Sequence, residues 1–291
     1  IGAQDVSDGC FRFTIGLAKK ALLADALAGL VTGIWGDLAS LTVLSAWLGL
    51  IGYALQLYFD FSGYSDMAIG LGRMLGFRFP ENFRYPYLCS SISDFWRRWH
   101  ISLGSWFKEY LYFPLGGSRA GTLRTLRNLL LVWLATGLWH GASWNYVLWG
   151  LYFGVLICLE KLLAPRFRAH PRKGLLAGLY RPVCLLLAVL GWVLFRAEDL
   201  PAAGRYFACL FGGAAAVSAQ ARLYLHDFWP VLLLGMVGAT PLCAKLAGRL
   251  GAKLRPGVRA AVQAVLVLAL LACSTVWLLN GSFQSFVYFQ F

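Results

Sequence analysis

Apolar residues gather along this chain in long unbroken runs, without the alternating pattern of half-buried strands. The runs are Leu38–Phe59, Leu129–Trp144, Tyr146–Leu163, Pro182–Phe195, Phe228–Leu246 and Ala260–Leu279. A helix needs about 20 apolar residues to cross a hydrocarbon layer of roughly 30 Å, and most of these runs approach that length. The ten-residue alternating segments of a transmembrane β-barrel are absent. The pattern therefore predicts an all-α fold: a polytopic transmembrane helical bundle, taken as one membrane domain over residues 1–291.

Polar positions between the runs set an orientation. Arg166, Arg168, Arg172 and Lys173 follow one run; Lys245, Arg249, Lys253, Arg255 and Arg259 separate two others. Basic loops of this kind mark the cytoplasmic side. On that rule Lys19 and Lys20 open a helix that leaves the cytoplasm and ends near Trp35, and Leu38–Phe59 returns. The segment from Asp60 to Arg127 holds no clear span and stays at the cytoplasmic face. The run ending at Trp144 then leads outward, and the uncharged C-terminal NGSFQSFVYFQF ends outside.

Composition agrees. The 291 residues are 59% hydrophobic and only 13% charged, where soluble domains run at about a quarter charged; mean hydropathy is +0.64. A net charge of +13 could point to nucleic acid, but its placement between apolar runs favours lipid headgroups, and no nucleic-acid partner is expected. Seven cysteines, an odd number scattered without a C-x-x-C pair, give no disulfide framework and no metal site.

His140, in TGLWHGASWN, lies about twelve residues above Asn128, which at 1.5 Å per residue is roughly 18 Å into the layer. An ionisable residue at that depth usually faces a cavity or a partner. Ser143 and Asn145 cluster with it as a polar pocket would require. Gly137 and Gly141 form G-x-x-x-G, which equally fits a histidine that only bonds neighbouring helices together. Both readings stand on the residues alone.

The stretch DFWRRWHISLGSWFKEYLYF, residues 94–113, separates on a helical wheel into an aromatic half (with Trp99, Trp106 and Tyr110) and a charged half (with Arg97 and Arg98). It predicts one amphipathic helix lying in the membrane interface. His100 falls near the edge of the apolar half, and Ser91-x-x-Asp94 has the form of a capping box. A third cluster, YFDFSGYSDMAIGLGRMLGF at 58–77, crowds Asp60, Tyr64 and Asp66 among glycines. It fits a substrate site or an interfacial turn equally. No H-E-x-x-H or G-x-S-x-G motif is present. A lone imidazole suits general-base work near neutral pH: it could deprotonate a hydroxyl that then attacks an acyl thioester.

FWRRWHISL followed by LWHGASWNYVLWG resembles the membrane-bound O-acyltransferase family. GLAKKALLAD, LQLYFDFSGYSDMAIGLGRMLGFRFPENF, YLYFPLGGSR, GWVLFRA and the terminal VYFQF bring the likeness nearer to its alginate O-acetyltransferase branch. The resemblance covers nearly the whole chain in order. It implies acyl transfer across the bacterial inner membrane, with His140 at the centre of a membrane tunnel and His100 in support. Trp139, Ser143, Asn145, Arg97, Arg98, Trp99, Asp60, Tyr64 and Asp66 are then the candidate substrate-binding or tunnel-lining residues. No bound cofactor is implied; acetyl-CoA or another acyl thioester would be the donor substrate. Periplasmic acetyltransferases and polysaccharide export machinery would be partners, besides membrane lipids. Family members carry further spans before the GLAKK-like helix, so upstream helices are expected. The alternatives are D-alanyl transfer to teichoic acid, a transporter with His140 in a proton relay, and a scaffold that docks a periplasmic enzyme.

Overall fold

A computed structural model describes residues 1–119, 121–168 and 175–280. Part of the predicted basic loop (169–174) and the terminal stretch from residue 281 lie outside the described residues. The described ones form helices joined by short turns, with no β-strand among them. The protein is an all-α membrane protein.

Contacts divide the chain into two compact units. The first comprises residues 1–37, 47–81 and 217–291. Here α1 (Ala3–Ala18) passes through a π-helical turn (Lys19–Ala24) into α2 (Asp25–Trp35), and α3 (Val43–Met74) runs for 32 residues. The sequence expectation placed a membrane exit near Asp60, but α3 continues through it. Nothing in SGYSDMAIG breaks a helix, because its glycines serve packing. A Cβ on Gly63 would stand 2.7 Å from the Gly16 carbonyl oxygen, and one on Gly70 2.6 Å from that of Gly9. The seven-residue spacing repeats the contact two turns along, so α1 and α3 meet backbone to backbone along a seam that only glycine permits.

That seam carries charge. Lys20 reaches Asp60 at 2.7 Å and Asp25 at 2.7 Å; Lys19 reaches Asp66 at 2.6 Å. Arg12 bonds Asp66 and grips both oxygens of Glu81 at 2.9 and 2.6 Å. The expectation that Lys19 and Lys20 lie at a cytoplasmic helix start is corrected: both sit mid-helix, and Lys20 is buried. Charge withdrawn from water is tolerated only with partners, and the helix pair brings them together. The unit is completed by α10 (Ala219–Gly238), α11 (Leu242–Gly251) and α12 (Pro256–Asn280), with α12 against α1 and α10 against α2.

The second unit comprises residues 38–46 and 82–216. It holds α4 (Ile92–Trp96), α5 (Ile101–Phe107) with a π-helical turn (Lys108–Tyr112), α6 (Thr122–His140), α7 (Trp144–Arg168), α8 (Leu175–Arg196) and α9 (Leu200–Leu210). Helix α7 packs on α6 and α8, and α4 packs on α7 and α8. The backbones of α6 and α7 touch where Gly137 meets the Tyr146 carbonyl and Gly150 that of Trp133.

Among the described residues, four helices are long and apolar enough to cross a membrane: α3, α7 over Trp144–Leu163, α8 over Gly178–Arg196, and α12. The α10–α11 pair makes a fifth if it counts as one span bent by 68°. Two predicted runs are thereby corrected. Phe228–Leu246 is broken where α10 gives way to α11. Leu129–Trp144 is broken at Gly141, whose φ of +150° ends α6 at His140.

Candidate functional site

The second unit brings together the two histidines that the sequence singles out. His140 is the last residue of α6, and Gly141 turns the chain directly after it. Its ring is met edge-on by Trp149 and by Phe195, each at 5.1 Å, and by Trp139 at 4.9 Å, while Tyr146 lies at 6.3 Å. His140 is 8% exposed. Packing of α7 on α6 supplies Trp149 and Tyr146, and the end of α8 supplies Phe195.

Trp139 also neighbours His100, with ring centroids 6.4 Å apart. The predicted continuous helix over 94–113 is not present. α4 stops at Trp96, and the chain turns at residues 97–100 before α5 begins. The turn is held by an earlier segment: the Ile101 N–H donates to the Asn82 carbonyl, and the Arg84 N–H to that of Arg98. His100 occupies the left-handed region, φ 45° and ψ 56°, which is costly for a residue with a Cβ and persists only where surroundings impose it. Asn82 does so. Its Oδ1 accepts the Ser102 N–H at 3.1 Å and the Ser102 hydroxyl at 3.0 Å, and lies 3.3 Å from His100 Nδ1. A proton on Nδ1 directed at Asn82 leaves Nε2 as the basic nitrogen. Burial pushes the His100 imidazole down to about 3, so it is neutral at physiological pH.

Breaking the helix changes which face each side chain shows. Trp99 is buried, stacked on Phe95 at 5.7 Å and lying 4.8 Å from Trp192. Trp106 and Tyr110, expected on the same inward half, are exposed instead. Arg97 is exposed; Arg98 pairs with Asp94 at 3.1 Å. The capping box is formed in half: the Ser91 hydroxyl accepts the Asp94 N–H, while the Asp94 carboxylate accepts the N–H of Ser90.

The remaining candidates separate. Trp139 is half exposed beside both histidines. Ser143 caps the start of α7, accepting the Asn145 N–H at 3.3 Å. Asn145 is buried and donates its side-chain amide to the Ala197 carbonyl at 2.6 Å, tying the start of α7 to the end of α8 and so holding Phe195 near His140. Asp60 and Asp66 belong to the first unit, where lysines and arginine engage them, and Tyr64 is exposed there. Sequence reasoning missed Asn82, Trp149 and Phe195. The strings carrying them, PENF, YVLWG and GWVLF, were visible, but nothing local says which ring meets which histidine. Among the described residues no three His, Cys, Asp or Glu side chains converge as metal ligands.

Comparison with known proteins decides the family. Residues 31–191 match MBOAT, the membrane-bound O-acyltransferase family. The chain belongs to the membrane-bound O-acyltransferases. A relative named "Probable alginate O-acetylase AlgI" from Azotobacter vinelandii is 40% identical over 98% of this chain and 62% of its own length. One of the same name from Pseudomonas fluorescens is 50% identical over 70% of this chain and 40% of its own. The "Peptidoglycan O-acetyltransferase" of Helicobacter pylori is 42% identical over 69% and 38%. The chain thus spans less than two thirds of the length of these relatives. Within the membrane-bound O-acyltransferase match lie His100, His140, Trp149 and the 97–100 turn.

Proposed function

We propose that the intact protein is a membrane-embedded O-acyltransferase that moves acetyl groups from a cytoplasmic thioester donor toward an exported polysaccharide such as alginate. The observation that carries the reading is His140, enclosed by aromatic rings with His100 beside the same Trp139, inside a chain 40% identical over 98% of its length to an alginate O-acetylase relative. His140 acts as general base. It takes the proton of an incoming hydroxyl while that oxygen attacks the thioester carbonyl; the new C–O bond forms, the C–S bond breaks, and the imidazolium returns its proton to the departing thiolate. His100 is neutral and turned by Asn82, which suits a supporting acceptor. Trp139 lines the approach to both rings. Acetyl-CoA or another acyl thioester is the donor, consumed as substrate. The bacterial inner membrane is the location, and periplasmic acetyltransferases with export machinery complete delivery to the polymer.

The test is His140→Ala in the intact protein, expressed in a strain lacking the gene, with acetyl ester per sugar measured on the exported polysaccharide and abundance checked by blot. Loss of a general base costs about 10²–10⁴ in rate, so acetylation should all but vanish at normal abundance. Undiminished acetylation would overturn the reading and leave a transporter or scaffold in its place.

A further inference from the structure

Outside the histidine enclosure, one carboxylate collects an unusual number of donors. Glu160, near the end of the α7 span, faces the start of α4. Its Oε1 accepts the Ile92 N–H at 2.6 Å and the Tyr180 hydroxyl of α8 at 2.6 Å. Its Oε2 accepts the Ser93 N–H at 2.9 Å and the Ser93 hydroxyl at 2.6 Å. Three helices therefore meet on one side chain. The N–H groups of a first helical turn have no partner within the helix, and an ionised acceptor makes the strongest bonds to them. Among the described residues no basic side chain forms an ion pair with Glu160; hydrogen bonds compensate its charge.

What lies beyond α4 gives this anchor a consequence. His100 follows Ser93 by only a short stretch of chain, and the aromatic residues between them are tightly engaged. Phe95 stacks on Trp99 at 5.7 Å, Trp96 meets Phe153 at 4.8 Å and Trp149 at 5.5 Å, and Trp99 meets Trp192 at 4.8 Å. Trp149 is also a wall of the His140 enclosure. Interlocked rings leave little room for side-chain rotation, so a shift of the first turn of α4 passes to the left-handed turn at His100. We propose that Glu160 is a positioning residue for the transfer reaction: it fixes α4, and through α4 the placement of His100 and Trp99 against the His140 enclosure. The inference rests on the acyl-transfer reading above.

Glu160→Gln is the informative change. Glutamine keeps the size but has one acceptor oxygen, so whichever way it turns its NH2 group confronts either the Ile92 N–H or the Ser93 N–H. Glu160→Asp keeps both acceptors on a shorter stem. In the intact protein, acetyl ester per sugar is measured for wild type, Glu160→Gln, Glu160→Asp and His140→Ala, each normalised to blotted abundance and accompanied by the melting temperature of the solubilised protein. Misplacement of reacting groups by about 1 Å can cost about a hundredfold. The expected result is a loss of about ten- to a hundredfold per molecule in Glu160→Gln at near wild-type abundance and melting temperature, with Glu160→Asp recovering most of it. Full acetylation in Glu160→Gln while His140→Ala is inactive would overturn the inference alone. So would a loss that merely follows abundance and melting temperature, or no rescue by aspartate. Full acetylation in His140→Ala would overturn the acyl-transfer reading and this inference with it.

Discussion

The ammonium of Lys20 lies 2.7 Å from the Asp60 carboxylate, and both side chains are closed off from solvent, 4% and 1% exposed. Their union makes Asp60 part of the helix-to-helix framework of the first unit. Asp25 completes the arrangement from the same lysine, also at 2.7 Å.

The two partners should not be equally expendable. Lys20→Met takes the shared cation from two carboxylates, a change of the kind that costs about 3–5 kcal/mol. Asp60→Asn leaves Lys20 with Asp25 and should cost less, about 1–3 kcal/mol. Melting temperatures of the solubilised intact protein check the order. Equal losses, or acetylation lost in Asp60→Asn at full stability, would return Asp60 to the substrate path.

Gly63 supports the same framework by bringing α3 onto α1. An added Cβ would stand 2.7 Å from the Gly16 carbonyl oxygen and 3.2 Å from the Lys20 backbone nitrogen. Gly63→Ala should therefore destabilise by about 1–3 kcal/mol through overpacking. Gly104, in α5, has open space where a methyl group would stand, with no neighbour within 4 Å, and Gly104→Ala should be neutral or gain up to about 1 kcal/mol. Thermal melts of the pair check this, and equal behaviour would refute the seam.

His100 gives a pH dependence. Burial lowers its pKa to about 3 from about 6.5 in an unfolded chain. Between these values the unfolded chain binds a proton that the folded protein does not, so stability falls as pH drops below about 6.5. His100→Asn tolerates the left-handed turn and removes the titration. Wild type should lose more melting temperature than His100→Asn between about pH 7 and about pH 5. Parallel losses would mean that His100 does not contribute.

Several features were legible without a fold. Long apolar runs determine a helical membrane protein, because buried backbone in hydrocarbon must bond within its own helix. Spacing and residue type singled out His140 and His100, since an imidazole in such a setting is conspicuous. Other features depended on tertiary partners. A helical wheel places Trp99 inward correctly, but cannot foresee that Asn82 and Arg84 bond across to residues 98–101 and break the helix at His100, leaving Trp106 exposed. The identities of Lys20 and Asp60 do not disclose their pairing, forty residues apart, as one buried ion pair. Nothing local marks Glu160, and only the fold brings the first N–H groups of α4 to it. Sequence by itself determines which segments must leave water; only three-dimensional packing decides which polar groups meet once they have, because those meetings join positions far apart in the chain.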